Sequence, residues 1–381
     1  MKGYEENPFP DEPLTDGLLF VVIDGGRQDM MSNPEYMPNL NSRVEDGVYM
    51  EVRTNPLTMT AICIKEMATG VPSRPNEALD NFKPTHPGSL DGWNLLVDHD
   101  ADNDGTADNN LGIIGDYVWK YLYPDREKVP FSKHRYGHAD YYLGDEEAFV
   151  TLNNWISGEI PEGYEKSPNA IITHLSGLDS VGHRYMADSD EYREKLLWLY
   201  GYLEEIFSIV PDNWTVVVTS DHGLTETGQH GSPEEIIRQT PAFMWGPNIK
   251  KGVVIKDMIQ RDLATLPSIL FSLPLPHAVH GQIPLDAFDI SEEKRQAYEE
   301  WNWKAAVERN NWFKDNNLPY VEGLSKDEIE WDKLPEDELG IRSIDVWISI
   351  IAIFVSSILV YRIFKSSENT KISANQAGLG F

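Results

Sequence analysis

Cysteine is almost absent from this 381-residue chain: Cys63 stands alone. A single thiol forms no intrachain disulfide and no thiolate zinc cluster. Positive charge is also scarce. The chain carries 32 Lys+Arg against 62 Asp+Glu, a formal charge of −30. That field repels duplex nucleic acid, so nucleic acid is not an expected partner. Internal repeats are missing. So is an apolar run of the signal-peptide kind near the start, where MKGYEENPFPDEPLTDG is polar, acidic and proline-rich.

Apolar material is sufficient for a core. At 41% hydrophobic and 11% aromatic residues the chain belongs with folded rather than disordered proteins. From Asp16 to about Phe288 two patterns alternate. Short β-branched runs include LLFVVID (18–24), AIITHL (170–175) and WTVVVTSD (214–221). Helical stretches lie between them, one with Tyr192, Leu196, Leu199, Leu203, Phe207 and Val210 at helical spacing. Continuous apolar strands alternating with amphipathic helices predict an α/β fold, a mostly parallel central sheet with helices on both faces.

The negative charge is unevenly spread. Residues 341–381 carry Arg342, Arg362, Lys365 and Lys371 against Asp345 and Glu368, a net +2, which leaves −32 on the first 340. Val346 to Tyr361 is sixteen residues without a charge, and Ile363 and Phe364 extend it past Arg362. A bilayer span needs roughly 20 apolar residues. Trp347 and Tyr361 stand where interfacial aromatics belong. A C-terminal transmembrane helix is therefore expected over 344–364, followed by a short basic tail, 365–381. The basic tail favours the cytoplasmic side and an acidic body outside, whereas the lack of a signal-peptide run points to the alternative, a tail-anchored protein with its body in the cytoplasm. Before the span, 291–343 reads as an amphipathic helix that Ser291 can cap, followed by an acidic juxtamembrane spacer.

Three strands end in metal-type ligands. LLFVVID ends at Asp24 before two glycines. AIITHL leads into Asp179, with His183 four residues later, and WTVVVTS leads into Asp221 and His222, with His230 beyond. The carboxyl ends of parallel strands are where open α/β sheets place their sites. Six Asp and His groups suit zinc or manganese and are enough for two ions. Alone, each residue has an ordinary structural use; recurrence at the same end of successive strands carries the argument. A fourth element, NPLTMTAICIKEMATG (55–70), sets Thr58 and Thr60 before a helix-like stretch. A hydroxyl at a helix N-terminus, beside a metal, gains nucleophilic character.

These segments resemble a family. His174 to His183, HLSGLDSVGH, is similar to the H-x-x-G-x-D-x-x-G-H segment of the type I phosphodiesterase branch of the alkaline phosphatase superfamily, and within it to the ethanolamine phosphate transferases of GPI-anchor synthesis. DHGLTETGQHG (221–231), GDYVWKYLYPD (115–125) and DLATLPSILFSLPLP (262–276) resemble three further segments of that branch. The resemblance implies an alkaline phosphatase-like catalytic domain over 17–290, after an N-terminal segment 1–16. It implies two Zn2+ (or Mn2+), one held by Asp24, Thr60, Asp221 and His222 and the other by Asp179, His183 and His230. Thr60 matches the nucleophile position. Asp116, Trp119 and His174 fall in motifs expected to bind substrate. The setting of Cys63 is not the C-x-P-x-R of sulfatases.

A second metal is expected at 98–110. Asp100, Asp102, Asp104 and Asp108 follow the D-x-D-x-D-G-x-x-D spacing of calcium loops, with Gly105 at the turn and Leu111 where a bidentate Glu would stand.

The expected function is a membrane-anchored, two-metal phosphodiesterase or phosphotransferase that passes through a phospho-threonine. Its expected substrate is a phosphoester, lipid-linked or of the phosphoethanolamine type. A nucleotide pyrophosphatase is the rival enzyme. A non-catalytic, calcium-stabilised surface module on a membrane stalk is the rival of another class.

Overall fold

Gly17–Ile23 is a run of unbroken apolar character, and its two-residue period sets up two cores. Leu18, Phe20 and Val22 pack into one; Leu19, Val21 and Ile23 pack into the other. Both faces must then be covered, and both are covered by helices.

The structure is a computed structural model that describes residues 1–326 apart from 75–76, 79–80, 82–83, 99, 101–107, 124–128 and 134–139. Ten strands are present among the described residues: β1 Tyr4–Glu5, β2 Gly17–Ile23, β3 Val48–Arg53, β4 Leu111–Gly115, β5 Phe131–Lys133, β6 Ala170–Leu175, β7 Trp214–Thr219, β8 Gln239–Trp245, β9 Val253–Ile259 and β10 Leu275–Pro276. Eight form one sheet in the order β5-β4-β6-β2-β7-β8-β3-β9. All adjacent pairs are parallel except those made by β8, which is antiparallel to β7 and to β3. β1 and β10 make a separate antiparallel ribbon. This is the expected α/β arrangement, a mostly parallel central sheet with helices on both faces.

On one face Phe20 meets Trp93 edge to face, with ring centroids 5.8 Å apart. That core includes Ile64 and Met67 of the helix Thr60–Thr69, Leu96 of the helix Gly92–Asp98, and Tyr298 and Trp301 of the helix Glu292–Asp315. The other core draws on Phe149 and Leu152 of the helix Leu143–Ile156, and on Leu178 and Val181 of the helix Gly177–Tyr185. The helix Asp190–Ile209 adds Leu196, Leu199 and Leu203 to it. Complete burial of each large apolar side chain contributes roughly 1.5–3 kcal/mol. Two long helices start at serine caps: Ser189 accepts from Tyr192 N–H, and Ser291 from Lys294 N–H.

No helix among the described residues is long and apolar enough to cross a membrane. The expected span 344–364 and tail 365–381 lie outside the described residues, as do Asp102 and Asp104 of the expected calcium loop.

Candidate active site

Neighbouring strands β6, β2 and β7 each deliver a group to the same end of the sheet. Asp24 leaves β2, His174 stands near the end of β6, and Asp221 and His222 leave β7. The helix Gly177–Tyr185 begins two residues after β6 and carries Asp179 and His183 one turn apart, on one face. Gly25, at φ +70°, lets the chain turn tightly over Asp179, whose atoms a Cβ there would meet at 3.0 Å. Tyr192 holds the turn: its hydroxyl donates to Gly25 O at 2.7 Å and accepts from Arg27 N–H at 3.3 Å.

The side chains converge. His183 Nε2 lies 3.4 Å from Asp179 Oδ2, and His230 Nε2 lies 4.0 Å from Asp179 Oδ1. His222 Nε2 lies 3.4 Å from Asp221 Oδ2 and 3.7 Å from Asp24 Oδ1. Three trios bring donor atoms within 4.8 Å of one another: Asp179, His183 and His230; Asp24, Asp179 and His222; and Asp24, His174 and Asp221. The rings of His222 and His230 stack at 4.1 Å.

Thr60 and Thr58 are separated by the start of the helix. Thr60 is its first residue, with its Oγ1 3.3 Å from His222 Nε2. Thr58 is fully buried and faces elsewhere. Its Oγ1 donates to Ser232 O at 2.9 Å and accepts from Gly231 N–H at 2.8 Å, so it braces the loop that carries His230.

The polar atoms fit a pair of divalent cations. His230 Nδ1 lies 2.7 Å from Thr58 O and His222 Nδ1 lies 3.0 Å from Gly223 O. A carbonyl only accepts, so each Nδ1 carries the ring proton and each Nε2 turns a bare lone pair into the cluster. There it meets carboxylate oxygens. Asp24 Oδ1, Asp179 Oδ1 and Asp221 Oδ2 are buried and make no hydrogen bond. Lone pairs facing carboxylates at this depth repel unless a cation lies between them.

The charges show the same frustration. Burial raises the Asp24 carboxyl well above its usual range, and the Asp221, Asp179 and Asp116 carboxylates raise it further. Burial pushes Asp221 up to about 6. Burial, with His230 beside it, pulls the His222 ring down to about 3.

Asp116, Trp119 and His174 lie below this surface. Asp116 Oδ1 accepts from Val118 N–H at 2.8 Å. Trp119 and His174 are wholly buried and bonded to each other, and His174 Nε2 lies 3.3 Å from Asp24 Oδ2. Of the acidic loop, Asp100 and Asp108 are described, but Asp102 and Asp104 are not.

Two residues without a sequence signal join the site. Asn81 Oδ1 accepts from Ala61 N–H at 3.1 Å, one residue past Thr60. Gln260 Nε2 donates to Asp221 O at 2.7 Å. Neither falls in a motif, because each arrives from a loop or turn whose path only the fold determines.

Comparison with known proteins gives consistent relatives. The profile of the family described as type I phosphodiesterase / nucleotide pyrophosphatase matches residues 84–315. GPI ethanolamine phosphate transferase 1 of Aspergillus oryzae is 28% identical over 76% of this chain and 33% of its own length. GPI ethanolamine phosphate transferase 2 of Debaryomyces hansenii is 24% identical over 76% of this chain and 35% of its own. The chain thus spans about a third of the length of these curated relatives. Among solved structures, alkaline phosphatase PafA superposes with a TM-score of 0.58 at 11% identity, over 73% of this chain and 99% of that one. Murine ectonucleotide pyrophosphatase / phosphodiesterase 5 gives 0.51 at 13% identity, over 68% and 95%. At such identities these two likenesses concern the fold.

Proposed function

The chain belongs to the type I phosphodiesterase / nucleotide pyrophosphatase family, and on that premise we propose that it cleaves or transfers a phosphoester at Thr60. The observation that carries the proposal is the position of Thr60 Oγ1, 3.3 Å from His222 Nε2 and beside carboxylate oxygens that lack partners. Asp24, Thr60, Asp221 and His222 would hold one divalent cation, and Asp179, His183 and His230 the other. Zinc suits this mixture of imidazole and carboxylate, and manganese is the alternative. Bound cations would supply Lewis-acid charge for the phosphoryl oxygens and favour the ionised hydroxyl.

The chain's own groups do the rest. Thr60, its hydroxyl proton lost to water, forms an Oγ1–P bond as the bond from phosphorus to the departing alkoxide breaks. That alkoxide takes up a proton from water. Asn81 donates its amide N–H to a phosphoryl oxygen and so favours the charge that accumulates there. Water or a second alcohol then attacks phosphorus from the side the first alcohol left; the Oγ1–P bond breaks, the attacker's proton passes through solvent to Thr60 Oγ1, and the outcome is hydrolysis or transfer.

For the substrate, the GPI ethanolamine phosphate transferase relatives support a phosphoethanolamine-type, lipid-linked ester. The uncharged run Val346–Tyr361 supports a membrane tether that would bring the site to lipid. A panel of bis-nitrophenyl phosphate, a nucleoside triphosphate and phosphatidylethanolamine, assayed with wild type and Thr60→Ala, tests the proposal. Activity on at least one diester, absent from the variant, is expected. Equal turnover by both proteins would overturn it.

A further inference from the structure

His174 offers a nitrogen to the cation cluster, and its geometry decides how that nitrogen is used. Trp119 Nε1 donates a hydrogen bond to His174 Nδ1 at 3.2 Å, with both residues wholly buried. An indole nitrogen donates and never accepts. Nδ1 is therefore bare, because a proton there would meet the indole N–H head on. The proton of the neutral ring resides on Nε2, which lies 3.3 Å from Asp24 Oδ2, a charge contact without hydrogen-bond geometry. A protonated Nε2 has no lone pair for a cation, although Asp24, His174 and Asp221 bring their donor atoms within 4.8 Å of one another.

We propose that Trp119 and His174 are a positioning pair: Trp119 locks the tautomer of His174, and His174 turns Asp24 so that Oδ1 faces the cation. The proposal rests on the reading of Asp24 as a cation ligand. The chain path explains how the pair is assembled. β4 runs beside β6 with Gly115 opposite His174. A Cβ at Gly115 would collide with the His174 carbonyl oxygen, and Gly115 has φ +112°, so only glycine lets the strand leave at this closeness. Asp116 then accepts from Val118 N–H, and the short helix Val118–Leu122 brings Trp119 beneath His174. The spacing of Gly115, Asp116 and Trp119 thus serves Asp24. His222 and His230 have the opposite tautomer, set by backbone carbonyls, and present bare Nε2 atoms.

The test uses the full chain labelled with 15N at histidine. Ring correlation spectra are expected to show His174 protonated at Nε2 and bare at Nδ1, both without and with Zn2+. In Trp119→Phe, Zn2+ affinity measured by competition with a chromogenic chelator should fall about 10–100-fold, the usual effect of losing a partner behind a ligand. His174→Gln can accept from Trp119 and donate to Asp24, and should keep more affinity than His174→Leu. A His174 Nε2 that is bare and shifts on adding Zn2+ would make it a ligand and overturn the proposal. Unchanged affinity in Trp119→Phe would overturn it too. A wild type that binds no divalent cation, whatever the tautomer, would overturn instead the reading of Asp24 on which the pair depends.

Discussion

Thr60 Oγ1 and His222 Nε2 lie 3.3 Å apart across 162 residues of sequence. One stands at the start of a helix and the other just past the end of β7. Thr58, only two residues from Thr60, spends its hydroxyl on Ser232 O and Gly231 N–H. The two threonines therefore separate experimentally. Thr60→Ala should lower kcat by at least about 10³-fold, as loss of a nucleophile does, while cation stoichiometry stays unchanged. Thr58→Val should keep measurable turnover but loosen the His230 loop and weaken cation binding. Elemental analysis beside steady-state kinetics distinguishes them.

Cation binding should fall with pH in a defined direction. Asp221 titrates at about 6 in the cation-free site because it is buried, and Asp24 is raised for the same reason and by its carboxylate neighbours. A carboxyl with a raised pKa holds its proton below that value, so an arriving cation must displace it. His222, pulled down to about 3, adds no such competition. Affinity should be full at pH values above the raised carboxyls and drop as pH falls through about 6, by about tenfold per unit for each proton displaced. Calorimetry in two buffers of different ionisation heat counts those protons. Release of none at pH 5.5 would contradict the assignment.

Much of this site was legible in the sequence, for a physical reason. Asp24, Asp179, Asp221 and His222 follow strands whose apolar runs are unmistakable, and a parallel sheet gathers such strand ends on one edge. His183 follows Asp179 at helical spacing. The choice between Thr58 and Thr60 was less accessible, because it depends on the residue at which the helix starts. Asn81 could not be read at all, since a loop delivers it to Ala61. The direction of β8 was hidden as well. TPAFM, its five interior residues, is buried throughout like the parallel strands, so nothing in its pattern marks it as reversed. Tyr192 was legible only as a core position of its helix, whereas its hydroxyl also ties Gly25 to Arg27.

Removal of cations should unfold the protein more easily. Without them, buried Asp24, Asp179 and Asp221 each keep an oxygen without a hydrogen bond. Free Zn2+ at about 100 times Kd should add about 2.7 kcal/mol to the unfolding free energy for each site filled. Thermal unfolding with Zn2+ and with a strong chelator measures this, and equal midpoints would show that the cluster holds no cation.

The ligand helix Gly177–Tyr185 is anchored by a buried charge pair, which makes the last prediction. Asp145 Oδ1 accepts from Gly177 N–H at 3.3 Å, and Asp145 Oδ2 lies 2.7 Å from Lys195 Nζ. Lys195 is wholly buried, with its ammonium 4.3 Å and 3.8 Å from the ring centroids of Tyr142 and Trp198. Removing one partner leaves the other charge buried without compensation. Lys195→Met should therefore cost about 3–5 kcal/mol in urea unfolding. Asp145→Leu combined with Lys195→Met removes both charges and should recover part of that loss. It cannot restore the bond to Gly177 N–H, so Asp179 and His183 should stay less well placed, with weaker Zn2+ binding than wild type. A double variant that binds Zn2+ as tightly as wild type would show that the pair supports the core alone and has no hold on the ligand helix.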